Sequence, residues 1–102
     1  IEGYYNSGQS IVVIEDLISS GKSSLAAVEA LRNEDLNVRG LLSIFTYSFE
    51  EADKNFKKYN CIKNSLCDYK TLINEALKSN YIQNKDVKIL EQWRSDPKNW
   101  SI

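Results

Sequence analysis

The chain of 102 residues has no histidine, no methionine, one proline, four glycines and two cysteines. The missing histidine excludes Ser-His-Asp triads, imidazole acid/base chemistry and histidine metal ligands. Cys61 and Cys67 alone make a poor zinc site. A disulfide between them has little support in an intracellular chain, so both are expected as free thiols. No apolar run approaches the ~20 residues that span a bilayer. The opening Ile1-Glu2-Gly3 has neither the basic start nor the apolar centre of a secretory leader. A cytoplasmic protein without a membrane partner is expected. The net charge is −1, and Lys57-Lys58 is the only adjacent basic pair, so nothing in the charge pattern calls for nucleic acid. With no methionine even at position 1, the chain is expected to be part of a longer protein.

What is present is concentrated in Ile11 to Ser24. Four aliphatic residues, Ile11 to Ile14, run into two adjacent carboxylates, Glu15 and Asp16. Leu17 and Ile18 follow, then Ser19-Ser20-Gly21-Lys22-Ser23, then a helical pattern. An aliphatic run bounded this way reads as a strand covered on both faces of a parallel sheet. Open α/β sheets bind ligands at the carboxyl ends of such strands. A hydroxyl- and glycine-bearing turn entering a helix presents backbone N–H groups to an anion. Diol-binding acids beside a phosphate cradle describe a pocket for a phosphorylated sugar.

Gly21-Lys22-Ser23 also imitates the end of a nucleotide P-loop, which requires glycine at position 16. Asp16 stands there, with Glu15 before it. Two unit charges 4 Å apart interact by about 4 kcal/mol at an effective dielectric of 20, so an acid inside a polyphosphate cradle opposes binding. The same acids suit sugar hydroxyls, which need acceptors.

The remaining pattern is regular. Residues 1–9 read as a strand end and a turn at Asn6-Ser7-Gly8. Strand one covers roughly 10–15, and a helix runs from about Ser23 to Asn33 with no acid in its first turn. Strand two is about Val38 to Thr46, giving a βαβ unit. Ser48 and Glu51 have capping-box spacing, opening a helix whose stripe Phe49, Ala52, Phe56 and Tyr59 reads as core. A short strand is expected from Cys61 to Leu66. Asp68 caps a helix facing inward through Tyr69, Leu72, Ile73, Ala76 and Leu77. A last helix starts near Asn84, carries Val87, Leu90 and Trp93, and ends before Pro97.

Val13-Ile14-Glu15-Asp16-Leu17-Ile18-Ser19-Ser20-Gly21-Lys22-Ser23-Ser24 resembles the phosphoribosyl-pyrophosphate motif of type I phosphoribosyltransferases. Its wording is nearest the orotate phosphoribosyltransferases. Ile1-Glu2-Gly3, Ala27 to Arg32, Ile44 to Tyr47, Asp68-Tyr69, Trp93-Arg94 and Asp96-Pro97 extend the resemblance over essentially the whole chain. It implies an α/β fold, part of a Rossmann-like phosphoribosyltransferase fold: a parallel sheet core flanked by helices, with C-terminal helices. Residues 1–102 are then the C-terminal part of a single domain, whose N-terminal half and catalytic loop lie upstream.

The implied activity is transfer of ribose 5-phosphate from phosphoribosyl pyrophosphate to orotate, giving orotidine 5'-phosphate and pyrophosphate in UMP biosynthesis. Transfer to a purine or another base, or a non-catalytic regulator that senses phosphoribosyl pyrophosphate, are the alternatives. By the resemblance, Glu15 and Asp16 hold the ribose hydroxyls as the catalytic acids. Leu17, Ile18, Ser19, Ser20, Gly21, Lys22 and Ser23 complete the phosphoribosyl-pyrophosphate site. Ser19 also touches orotate. Magnesium is implied, with no ligand assigned in this chain, and so is a homodimer. Ser20 stands where threonine is common, Lys22 where a second glycine is common, and Tyr47 where some orotate enzymes carry an arginine.

Overall fold

The computed structural model describes residues 3–100. The strand end expected at Ile1 and Glu2 lies outside them. The elements in order are β1 (Ser10–Ile18), α1 (Lys22–Asn33), β2 (Asn37–Thr46), α2 (Glu50–Lys58), β3 (Lys63–Asp68), α3 (Tyr69–Lys78) and α4 (Asn84–Ser95). A single 3-10 turn, Pro97–Asn99, follows. The turn at Asn6–Gly8 forms as expected, with Gln9 N donating to the Asn6 carbonyl at 3.1 Å.

The three strands form one parallel sheet in the order β1-β2-β3. Val13 pairs with Leu41, Glu15 with Ser43 and Ile18 with Thr46. Leu41 in turn pairs with Lys63, and Thr46 with Asp68. β1 runs to Ile18, three residues beyond the expected end, so Glu15 and Asp16 sit inside the strand. β3 starts and ends two residues later than the expected Cys61–Leu66.

One face of the sheet is sealed. Ile18, Val38 and Leu41 from the strands pack with Leu25 and Val28 of α1, Ala52 and Phe56 of α2, and Cys61, while Ile11, Val13 and Leu31 pack at the margin. Each large side chain buried there contributes about 1.5–3 kcal/mol. Arg32 at the end of α1 donates to the carbonyls of Tyr59 at 2.6 Å and Asn60 at 3.1 Å, which satisfies the open carbonyl end of α2.

The other face is bare. Val12 is 55% exposed, Ile14 66%, Ile44 54% and Leu66 74%. Val12 and Ile14 alternate with Ile11 and Val13, as a pleat of period two requires. A register irregularity beside Val38 lets Val38 and Leu41 both enter the core, and Ile18 turns inward at the end of β1. Cover on both faces was the expectation from the apolar runs, and within the described residues only one face has it. The radius of gyration is 16.6 Å, against about 13 Å for a compact domain of 100 residues.

The helices past the sheet dock through rings. Tyr47 stacks on Phe49 with centroids 5.2 Å apart and meets Trp93 edge-on at 5.5 Å. Tyr69 lies 5.8 Å from Trp93, and its hydroxyl donates to the Leu90 carbonyl at 3.0 Å. Such pairs add about 0.5–1.5 kcal/mol beyond their area. The expected cap of α3 forms: Asp68 Oδ1 accepts from Thr71 N at 2.8 Å. The start of α4 at Asn84 and its end before Pro97 also match.

Three expectations do not survive. Ser48 and Glu51 form no capping box; Phe49 occupies the N-cap without a side-chain hydrogen bond. Ser48 instead takes φ +60, with its N–H donating to Thr46 Oγ1, and Glu51 turns to lysines. Within the aromatic stripe only Ala52 and Phe56 are core, because Phe49 joins the Tyr47 cluster and Tyr59 is exposed. On α3, Leu72 is exposed while Tyr69 and Ile73 are buried.

Candidate functional site

The site forms where β1 hands over to α1. Ile18 is sealed in the core and fixes the start of the loop. Its side chain is out of a ligand's reach, so its contribution to a site is backbone only. Leu17, by contrast, is exposed. Ser19, Ser20 and Gly21 then turn the chain, and α1 begins at Lys22, one residue before the expected Ser23. Gly21 has φ +85 and ψ −2, in the left-handed region that glycine enters without steric cost. A Cβ at Gly21 would lie 2.7 Å from Phe56 Cε2. Glycine is therefore required twice, by conformation and by the ring beneath it.

The loop offers free donors. The Gly21 carbonyl accepts from Leu25 N at 2.9 Å, closing the first turn of α1. Lys22 N–H reaches Ser20 Oγ only at 3.4 Å. Among the described residues no group accepts from the N–H of Gly21, Ser23 or Ser24. The first turn of α1 holds no acid. Unpaired N–H groups at the positive end of a twelve-residue helix attract an anion. The hydroxyls of Ser19, Ser20 and Ser23 stand beside them.

A cavity of about 590 Å³ opens next to the loop, within the usual range for small-molecule sites. Ser19 and Ser20 line one side, Phe49 to Glu51 and Arg94 to Lys98 the others. Glu51 bridges two cations: Lys22 Nζ at 3.5 Å and Lys98 Nζ at 3.9 Å. All three side chains are substantially exposed, so these pairs orient groups more than they stabilise the fold. Tyr47, which stands where some orotate enzymes carry arginine, is committed to the ring cluster.

Glu15 and Asp16 are not brought together in the same way. As neighbours within β1 they point to opposite faces. Glu15 is half-buried on the side of its partner Ser43, and Asp16 is exposed. Neither carboxylate has a hydrogen bond or ion pair among the described residues, and neither lines the cavity beside Ser19. Among the described residues no cluster of three or more His, Cys, Asp or Glu side chains could hold a metal. The donors present suit a hard cation that takes one or two carboxylates and draws its other oxygens from a phosphate ligand, the usual habit of Mg2+.

Cys61 and Cys67 are both free thiols. Burial pushes the Cys61 thiol above its ordinary pKa, with Arg32 pulling weakly the other way. A protonated, buried thiol is chemically quiet.

Sequence reasoning missed Asn55 and Arg94. Asn55 Nδ2 donates to the Ser20 carbonyl at 2.9 Å. Arg94 lines the cavity and donates through Nη1 to the Ser48 carbonyl at 3.0 Å. A polar residue four positions after Glu51 and one before the core residue Phe56 is the only local hint for Asn55.

No protein-family model matches the chain. An Enterococcus faecalis protein named orotate phosphoribosyltransferase is 47% identical over 100 residues, covering 98% of this chain and 48% of that protein. The protein of the same name from Cytophaga hutchinsonii is 45% identical with the same coverage. The chain thus spans about half the length of the curated relatives it matches. Among solved structures, Leishmania donovani UMP synthase shares the fold with a TM-score of 0.80 at 24% identity, over 91% of this chain and 21% of that one. A phosphoribosyltransferase from Corynebacterium diphtheriae gives 0.64 at 27% identity, over 70% of this chain and 42% of that one. Over nearly its whole length the chain is thus similar to about half the length of the curated orotate phosphoribosyltransferases, and its parallel sheet and flanking helices have the fold of the solved phosphoribosyltransferases.

Proposed function

We propose that the protein of which this chain is part transfers ribose 5-phosphate from phosphoribosyl pyrophosphate to orotate. The observation that carries the reading is the Ser19–Ser23 loop. The N–H groups of Gly21, Ser23 and Ser24 are unpaired at the helix start, in a stretch with three serine hydroxyls, directly after a parallel strand bearing two carboxylates. The donors are placed for the 5-phosphate. Asp16 and Glu15, unpaired in the strand, supply acceptors for ribose hydroxyls. Asp16, on the exposed face, also places negative charge near the sugar as it becomes cationic when its bond to pyrophosphate loosens. Such chemistry depends on placement and charge stabilisation, not on a strong base, so a histidine-free segment suits it.

Orotate is anionic. Arg94 and Lys98 are the cations lining the cavity that Ser19 shares. A planar guanidinium matches a carboxylate better than an ammonium does. Ser19 belongs to both loop and cavity and fits a residue touching both substrates. Mg2+, when bound, neutralises pyrophosphate and holds sugar hydroxyls, with Asp16 as this chain's exposed carboxylate toward it.

The same reading makes residues 1–102 the C-terminal part of one domain. The rest of the protein covers the bare face and brings the catalytic loop, in a cytoplasmic homodimer. No helix of the described residues is long and apolar enough to cross a membrane.

The test is a spectrophotometric assay of the full-length protein with phosphoribosyl pyrophosphate, offering orotate, uracil and hypoxanthine as competing acceptors. Preferential consumption of orotate is expected. Preference for hypoxanthine would move the assignment to a purine enzyme. Binding of phosphoribosyl pyrophosphate without turnover of any base would move it to a sensor.

A further inference from the structure

We propose that Asn55 is a positioning residue of the phosphate loop, acting through the Ser20 carbonyl to aim the Gly21 N–H at the bound phosphate. The proposal rests on the sugar-phosphate reading of this loop. Asn55 lies on α2, and its side-chain amide donates to the Ser20 carbonyl at 2.9 Å in a part-buried contact across 35 residues of sequence. The Ser20 carbonyl and the Gly21 N–H belong to one planar trans peptide, so they point in opposite directions. Anchoring the oxygen toward α2 turns the N–H away from α2. That N–H has no partner among the described residues.

Glycine makes this anchor necessary. Gly21 can adopt many backbone conformations, and a rotated Ser20–Gly21 peptide would present its carbonyl oxygen to the phosphate in place of the N–H. Three α2 residues restrain the turn together. Phe56 lies against Gly21 where a Cβ would clash. Glu51 holds Lys22 at 3.5 Å. Asn55 holds Ser20, and it shares a stripe of α2 with Glu51 because residues four apart are neighbours on a helix. Of the three, only Asn55 fixes the direction of a peptide dipole.

The experiment uses the full-length protein and three variants, Asn55→Ala, Asn55→Asp and Asn55→Gln. Ribose 5-phosphate is the binding probe, by titration calorimetry. Steady-state KM values for both substrates and thermal unfolding are measured alongside. Asn55→Asp keeps the shape but sets a carboxylate against the Ser20 carbonyl. Loss of one anchoring hydrogen bond should weaken ribose 5-phosphate about tenfold in the Ala and Asp variants. The KM for phosphoribosyl pyrophosphate should rise, the KM for orotate should hold, and Asn55→Gln should recover most of the loss. If Asn55→Ala does not fold, the contrast between Asp and Gln decides. Wild-type affinity in the Ala and Asp variants would overturn the proposal. So would equal losses for both substrates with a lowered melting temperature that Gln does not restore, since that marks a merely structural contact. A wild-type protein that does not bind ribose 5-phosphate would overturn the sugar-phosphate reading itself, and the proposal with it.

Discussion

One face of the three-stranded sheet is sealed by α1 and α2, while the other leaves Val12, Ile14, Ile44 and Leu66 in solvent, although the strands are aliphatic on both sides. The sealed face carries the Ser19–Ser23 loop. Its core reaches under Gly21 through Phe56, so packing and loop conformation are one structure there. The bare face is aliphatic at these four positions, with Asp16 following Ile14 on the same side of β1. Its residues resemble the inner surface of a layer cut through the middle, as parallel strands with cover on both sides would look with one cover removed. The difference teaches that the Ser19–Ser23 loop is supported by packing among the described residues, while one face of the sheet has no cover among them.

The largest effect should follow from breaking the sealed face. In the full-length protein Phe56→Ala should cost about 3–5 kcal/mol, read as a lower denaturant midpoint. It should also weaken phosphoribosyl-pyrophosphate binding, because the ring supports Gly21. A stability loss with unaltered binding would separate core from loop.

The bare face gives a sharper test, through a change of sign. Ile14→Ser in the full-length protein should destabilise by about 1.5–3 kcal/mol if the upstream half buries Ile14. In residues 1–102 made alone, the same substitution should raise solubility. The same sign in both contexts would mean that the face has no cover in the whole protein.

Substitutions in the loop should leave the fold intact and change only chemistry. Asp16→Asn should lower turnover at least tenfold, equal to ~1.4 kcal/mol of barrier, with an unchanged melting temperature. Near-normal turnover in both Asp16→Asn and Glu15→Gln would remove the acids from the mechanism. Ser19→Ala should impair orotate use more than phosphoribosyl-pyrophosphate binding, and equal effects would reduce Ser19 to a loop-shaping residue.

The smallest effect concerns Asp68, at the end of β3. The Thr71 N–H that it accepts lowers its pKa below the ordinary carboxylate value. A folded-state pKa below the unfolded one gives stability that is present above the unfolded pKa and lost as pH falls through the folded one. Acid melting of the full-length protein should therefore include a small contribution that Asp68→Ala abolishes. An identical acid profile in that variant would show the cap to be without effect.

Much of the sealed region was legible in the sequence. The aliphatic run and the Ser-Ser-Gly turn placed the start of α1 within a residue and the end of β1 within three, because each is a local signal. Asp68 and Pro97 marked helix ends for the same reason. What failed was non-local. Ser48 had the right spacing for a capping box, but Tyr47 and Phe49 stack across it and hold Ser48 at positive φ. Asn55 carried almost no local signal, because its partner, Ser20, lies 35 residues away. The aliphatic strands signalled that both faces need cover, but no strand pattern says whether the cover lies within the same stretch of chain.

The most direct test of the account is complementation. Residues 1–102 are produced alone and together with the upstream half of the protein, and both samples are assayed for solubility and for orotate-dependent consumption of phosphoribosyl pyrophosphate. The account predicts an aggregating, inactive chain when it is alone, and a soluble, active protein once the upstream half is present, covalently joined or as a separate partner. A soluble, monomeric and active chain of residues 1–102 would contradict it, because the bare face would then need no cover and the site no second half.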